Sequence, residues 1–215
     1  MNRPFIIAID GPAASGKGML SKALARQIGF EYLDTGLLYR IAAYNLMKSS
    51  IDIADPHKIV DHLETVHFTG YESINLHVDE VGNIASKIAP FAEVREFLNK
   101  LQLEFPLGKN GVVIDGRDIG TVVFPDADLK FFITADVENR ADRRYKQLKS
   151  SGKDVIFADV LRDLRERDER DIHRKVAPTV AAIDAIIIDT THLEAAAVLE
   201  LALALSQKAI RLLAA

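Results

Sequence analysis

Short apolar runs recur along the chain with helix-patterned stretches between them: FIIAI at 5–9, FEYL at 30–33, VVI at 112–114, LKFFI at 129–133 and AIIID at 185–189. That alternation predicts an α/β fold, a parallel sheet covered by helices on both faces. Between the first two runs, Leu20, Ala23, Leu24 and Ile28 fall at helical spacing and Gly29 is placed to end the helix. Two stretches break the pattern. From 62 to 88, VHFTG and INLHV flank a polar turn, which predicts a small antiparallel insert after a short helix opened by Asp55 and Pro56. From Arg140 to Lys175 there are 12 Lys or Arg against 8 Asp or Glu, and KSSGKD divides the segment into two helical halves. Near the end, LEAAAVLELALALSQKAIRLLAA carries Glu194, Glu200, Lys208 and Arg211, so it reads as an amphipathic helix docked on the sheet and not as a membrane span.

With 215 residues, 48% of them hydrophobic, the chain can bury one substantial core, and a single unit with inserted pieces is expected over 1–215. A formal charge of -4 gives no overall basic field, which argues against a nucleic-acid partner and leaves anion binding to local charge. The absence of Cys excludes disulfides, thiol nucleophiles and Cys-ligated zinc. His57, His62 and His67 recur every five residues and so walk around a helix instead of lining one face. The apolar run at Phe5–Ile9 is too short for a signal-peptide core, and the chain is expected to stay in the cytoplasm.

The first run leads into IDGPAASGKGML. Gly11 and Gly16, with four residues between them, leave room for backbone N–H groups to turn around an oxyanion, and Lys17 adds a positive charge where a helix begins. Gly18 stands where the strict phosphate-loop pattern has the Ser or Thr that ligates magnesium. The cation would then depend on nucleotide phosphates, water and a carboxylate elsewhere, for which Asp115 is the positional candidate as an outer-shell partner.

A phosphate-transferring protein needs a second anion site opposite the first. Three stretches supply arginine: YLDTGLLYR, with Asp34 to Gly36 after the second strand and Arg40 one turn later; VVIDGRDIGTVVFPDA, whose Arg117 and Asp118 fall just past the carboxyl edge of a strand; and RERDERDIHR, with Arg167, Asp171 and Arg174 at helical spacing. The last reads equally as a solvated helix with internal ion pairs.

Taken in order, IDGPAASGKG, YLDTGLLYR, VVIDGRDIGTVVFPDADLKFFITA and RERDERDIHRKVAP make the chain resemble the bacterial-type cytidylate kinases over nearly its whole length. The resemblance implies a P-loop three-layer fold with a five-stranded parallel sheet, an inserted CMP-binding region at 62–88 and a helical lid at roughly 140–165. It implies ATP as phosphate donor, Mg2+ as cofactor, CMP or dCMP as acceptor, and a monomer that engages neither nucleic acid nor membrane. By the same resemblance Arg40, Arg117 and Arg174 hold the CMP phosphate with Thr35 beside them, Ser86, Arg95 and Asp118 read the cytosine, and Arg167 and Asp171 hold the pentose. ATP falls to Gly11, Pro12, Ala13, Ala14, Ser15, Gly16, Lys17, Gly18 and Met19, with Arg140 and Arg144 from the lid, and charge on the transferring group to Lys17 and the three acceptor arginines.

Two positions depart from the family pattern. Met19 replaces the usual Thr after GKG, which would weaken ATP binding or move that contact to Ser21 or the backbone. LHVDEV at 76–81 puts His77 in place of an Arg, in an insert shorter than usual. Alternative readings are a phosphate-loop kinase of another small acceptor, and a nucleotide-binding regulator without turnover.

Overall fold

The computed structural model describes residues 3–214. Five strands form one sheet in the order β2-β3-β1-β4-β5, every pairing parallel: β1 (Phe5–Asp10), β2 (Glu31–Asp34), β3 (Gly111–Asp115), β4 (Leu129–Thr134) and β5 (Ile186–Asp189). They are the five apolar runs expected from the sequence. Alternation along β1 explains the layering. Ile7 and Ile9 point to one face, where Leu20, Leu24 and Ala25 of α1 (Lys17–Ile28) and Val198 and Ala202 of α8 (Ala195–Ala214) pack. Ile6 and Ala8 point to the other, against Ile119 and Val123. A central parallel strand buried on both sides has to be apolar throughout, and β1 is until Asp10.

Local chemistry sets the helix ends. Gly29 caps α1 in the left-handed region at φ 73°, its N–H donating to the Ala25 carbonyl. Asp34 accepts from the Leu37 N–H at the start of α2 (Thr35–Lys48), and Asp55 accepts from Lys58 N–H ahead of Pro56 in α3 (Pro56–Leu63). Helices α2, α3, α4 (Asp79–Ile88) and α5 (Ala92–Glu104) enclose a second core around Leu46, Leu63, Ile88 and Leu98. The basic segment forms α6 (Val137–Ser150) and α7 (Phe157–His173), parted where Gly152 adopts φ 80°.

Two expectations are corrected. The insert at 62–88 contains no strands: residues 66–78 run as turns and bends, and α4 takes its remainder. The first candidate strand packs on a helix and not on the second. Phe68 sits against Phe97 of α5, Leu76 is fully buried, and the Asn75 side chain accepts from His77 N–H, which bends the backbone away from a ladder. Arg174 lies outside α7, as its extended C-cap, so it does not continue the face of Arg167 and Asp171. Helix α8 docks as expected, packing Val198 and Ala202 with α1 onto the sheet face and leaving Leu201, Leu212 and Leu213 exposed; no described helix is long and apolar enough to cross a membrane.

Candidate active site

The phosphate loop leaves β1 at the carboxyl edge of the sheet, and packing enforces its shape. Gly11 has φ 150°, and a Cβ there would stand 2.1 Å from the Ile133 carbonyl oxygen of β4. Ala14 holds a left-handed φ of 58° and Gly16 one of 91°. Left-handed residues set among right-handed ones gather N–H groups around an anion, and a non-glycine residue keeps such a φ at a cost of about 1–3 kcal/mol. Lys17 folds back over this loop, its Nζ donating to the Pro12 carbonyl at 3.1 Å. The Ser15 hydroxyl is buried with no partner.

A cavity of about 600 Å³ opens from this loop, lined by Lys17 and Gly18 on one side and by Arg40, Arg117, Arg167 and Arg174 on the other. The arginines come from separate elements: Arg40 from α2, Arg117 from the turn after β3, Arg167 from α7 and Arg174 from its end. Their crowding is visible in the proton affinities. Burial, then repulsion from Arg117, pushes the Lys17 ammonium well below the ordinary lysine value, and burial, then Arg117, lowers Arg167. Asp171 stays ionised: burial would raise it, but Arg117, Arg167 and Arg174 outweigh burial and hold it below the usual carboxylate range. Arg117 donates to it through Nε at 3.2 Å, and Arg167 Nε lies 3.8 Å away. The Nε of Arg167, Nη2 of Arg174 and the Tyr39 hydroxyl are buried without hydrogen-bond partners, so the wall is under-satisfied for an anionic, hydrogen-bonding guest.

Beside the arginines lies a buried polar pair. Arg95 of α5 donates through Nη2 to Asp118, both nearly sealed from water, with Arg174 Nη2 3.7 Å from the other Asp118 oxygen. Ser86 of α4 lines the same pocket, 3.5 Å from the Arg170 Nε that donates to it. Asp118 occupies this position because the chain after β3 closes as a π-helical turn, Ile119–Val123, with Asp118 at its start. Arg174 is steadied by its Nε donating to the Ala177 carbonyl at 2.6 Å, and Ala177 adopts a left-handed φ of 52° to present it. Thr35 donates through Oγ1 to the Asp115 carbonyl at 2.7 Å, tying the second strand's exit to the third's. The Asp115 carboxylate accepts from Tyr32 OH at 2.9 Å and is raised by burial and then by Asp34.

This layout has relatives. The profile of the cytidylate kinase family matches residues 7–208. The chain belongs to the cytidylate kinase family. It is 48% identical to a cytidylate kinase of Paramagnetospirillum magneticum over 88% of this chain and 92% of that one, and 48% identical to one of Rhodospirillum rubrum over 93% and 95%. A cytidylate kinase of Rickettsia bellii is 43% identical over 91% and 89%. Among solved structures, a gluconokinase of Sinorhizobium meliloti matches with a TM-score of 0.52 at 16% identity, over 98% of this chain and 97% of that one, so the two share a fold.

Against that family pattern, most of the expected residues converge: Ala13, Ala14, Lys17, Gly18, Thr35, Arg40, Ser86, Arg95, Asp115, Arg117, Asp118, Arg167, Asp171 and Arg174 share the one cavity. Four expectations change. Arg140 does not face the cavity; its guanidinium is spent on the Ala13 and Ala135 carbonyls and on Asp168 at 2.6 Å, so it anchors the phosphate loop from behind. Arg144 lines the cavity but turns to Asp79 of the insert and to the His77 carbonyl. Met19 points outward, 69% exposed. The Ser21 hydroxyl is not free to take over its contact, since it is buried and donates to the Lys17 carbonyl at 2.8 Å, which leaves a backbone contact or weaker ATP binding. Asp10 was missed as a site residue, although an apolar strand that ends in a buried carboxylate was a usable signal. Burial raises it to about 6, and its oxygens accept from Ile119 and Gly120 N–H.

Proposed function

We propose that the chain transfers the γ-phosphoryl group of ATP to CMP or dCMP, giving ADP and CDP or dCDP. The observation that carries this reading is the placement of Arg40, Arg117 and Arg174 in one cavity facing Lys17 and the phosphate loop, with the Arg95–Asp118 pair set deeper on the acceptor side. A phosphate acceptor is mostly dianionic near neutral pH and needs no general base. What it needs is in-line placement and neutralisation of charge on the transferring group, and these cationic groups supply both without reorganising. Cytosine offers an amino donor and a ring-nitrogen acceptor; a carboxylate beside a guanidinium matches that order, and uracil reverses it.

Mg2+ supplies charge neutralisation at the bridging phosphates in such reactions. Asp115 and Asp34, crowded together next to Lys17, fit a cation held largely by phosphate oxygens and water; among the described residues no cluster of three or more His, Asp or Glu side chains would cage one. In this reading the lid brings α6 and α7 over the γ-phosphate and excludes water while the acceptor is in place.

ADP release measured with ATP and Mg2+ against CMP, dCMP, UMP, AMP, GMP and no acceptor tests the proposal. Turnover concentrated on CMP and dCMP is expected. Turnover with a different acceptor, or nucleotide binding without ADP release, would overturn it.

A further inference from the structure

We propose that Asp10 is a positioning residue for acceptor recognition: from the end of the central strand its carboxylate holds the turn that aims Asp118 and Arg117 into the cavity. The inference rests on the CMP reading above. Asp10 is 4% exposed, and it divides its two oxygens between two successive backbone donors, Ile119 N–H at 2.8 Å and Gly120 N–H at 2.7 Å. Those are opening N–H groups of the π-helical turn, which a helical turn by itself leaves without partners. The far side of the same turn closes on Asp118, whose carbonyl accepts from Val122 at 2.9 Å and Val123 at 3.2 Å.

Asp118 therefore sits between two sets of backbone bonds, at φ -148° and ψ 25°, outside the helical and extended regions. The room around the turn is filled: a Cβ on Gly120 would meet the Lys130 stem at 3.1 Å, and one on Gly116 would meet Ile119 and Thr35 at 2.7 Å. Asp10 is also the last residue before Gly11, whose backbone is seated on Ile133 of the neighbouring strand. One side chain thus fixes the acceptor turn to the strand that carries the phosphate loop, so donor and acceptor loops share a single origin.

The residue type fits this task and little else. An ionised carboxylate brings two strong acceptors and no donor, whereas an amide would set its NH2 against a backbone N–H. Burying a carboxylate that no Lys or Arg pairs with opposes folding, and burial accordingly raises Asp10. A side chain kept only for packing would be apolar here.

The test is Asp10→Asn, assayed at saturating ATP with CMP and with UMP, and separately for the KM of ATP at saturating CMP. The KM for CMP should rise about tenfold, the scale of one lost charged hydrogen bond, and the CMP over UMP preference should fall, with the KM for ATP within about twofold of wild type. Unchanged CMP parameters in a folded variant would overturn the proposal, as would equal rises in the KM for CMP and ATP, which mark a general loosening of the strand end. A measurement on the unaltered protein guards against a variant that fails to fold. Backbone hydrogen exchange at Ile119 and Gly120 should be slow in the free protein and slow further on adding CMP, and fast exchange at both would overturn the proposal. Absence of CMP turnover in the wild type would instead remove the functional reading on which the inference stands.

Discussion

Arg95 and Asp118 are nearly sealed from water, and each needs the other: a buried charge left without its partner costs about 3–5 kcal/mol. Asp118 is thus a structural residue, and in the proposed function a recognition residue as well; the two roles separate by choice of variant. Asp118→Asn keeps the shape and an acceptor oxygen while removing the charge that matches the cytosine amino group. The CMP over UMP ratio of kcat/KM should fall about tenfold or more, with a smaller loss of stability than in Asp118→Ala. Competing-substrate assays read the first quantity and urea melts the second; an unchanged ratio would remove Asp118 from cytosine recognition. Most of the residues in this neighbourhood were legible, because DGRD past a strand end is a compact signal. The roles of Arg140 and Arg144 were not. Both stand on a basic helix, and no spacing rule says which guanidinium a carbonyl or carboxylate from another element will capture.

At the scale of elements, the basic segment of α6 and the loop after it, proposed above as a lid, meets the start of α4 across the cavity mouth. Asp79, in the first turn of α4, accepts from Arg144 and from Lys153 at 3.1 Å, so one half-exposed carboxylate holds both the middle of α6 and the loop beyond the helix. Exposed pairs of this kind are individually worth about 0–1 kcal/mol, enough to bias a lid without locking it. Gly152, in the left-handed region between α6 and α7, is where the segment can bend. Asp79→Ala should speed limited proteolysis around Lys149–Lys153 in the nucleotide-free protein, and ATP with CMP should restore protection in both proteins. Equal cleavage rates with and without nucleotides would mean that the lid does not respond to its substrates. The insert is also where sequence pattern misled. Residues 66–70 and 74–78 have strand-like composition, but strand formation requires a partner edge, and the core of α2, α3 and α5 offered Phe68 apolar surface instead, while Leu76 is buried without a ladder.

Across the whole molecule, protonation links the site to stability. Asp10 is raised to about 6 from an ordinary 3.8, so its contribution to stability is fully present below about 4 and is lost as pH rises through 6. Asp171, lowered on balance by its arginines, works in the other direction and loses its contribution as pH falls through its depressed folded value. Because Asp10→Asn removes only the first effect, wild type should gain stability relative to that variant between pH 7 and pH 5. Paired urea melts at the two pH values measure the difference; a constant difference would mean that Asp10 takes up no proton on folding in that range.

Residue order alone determined the strand set, the parallel sheet, the phosphate loop and the family, because each is written in local terms: apolar runs, glycine spacing and a few contiguous motifs. The tertiary structure alone decided what meets across the chain. Arg174 reaches the site through a turn at Ala177 and not along its helix, Arg140 is spent on the back of the phosphate loop, and Asp10 holds a turn more than 100 residues away in sequence. The physical reason is common to all three. A buried polar group must find a partner, and which partner it finds is fixed by distances that exist only after the sheet and its helices have packed.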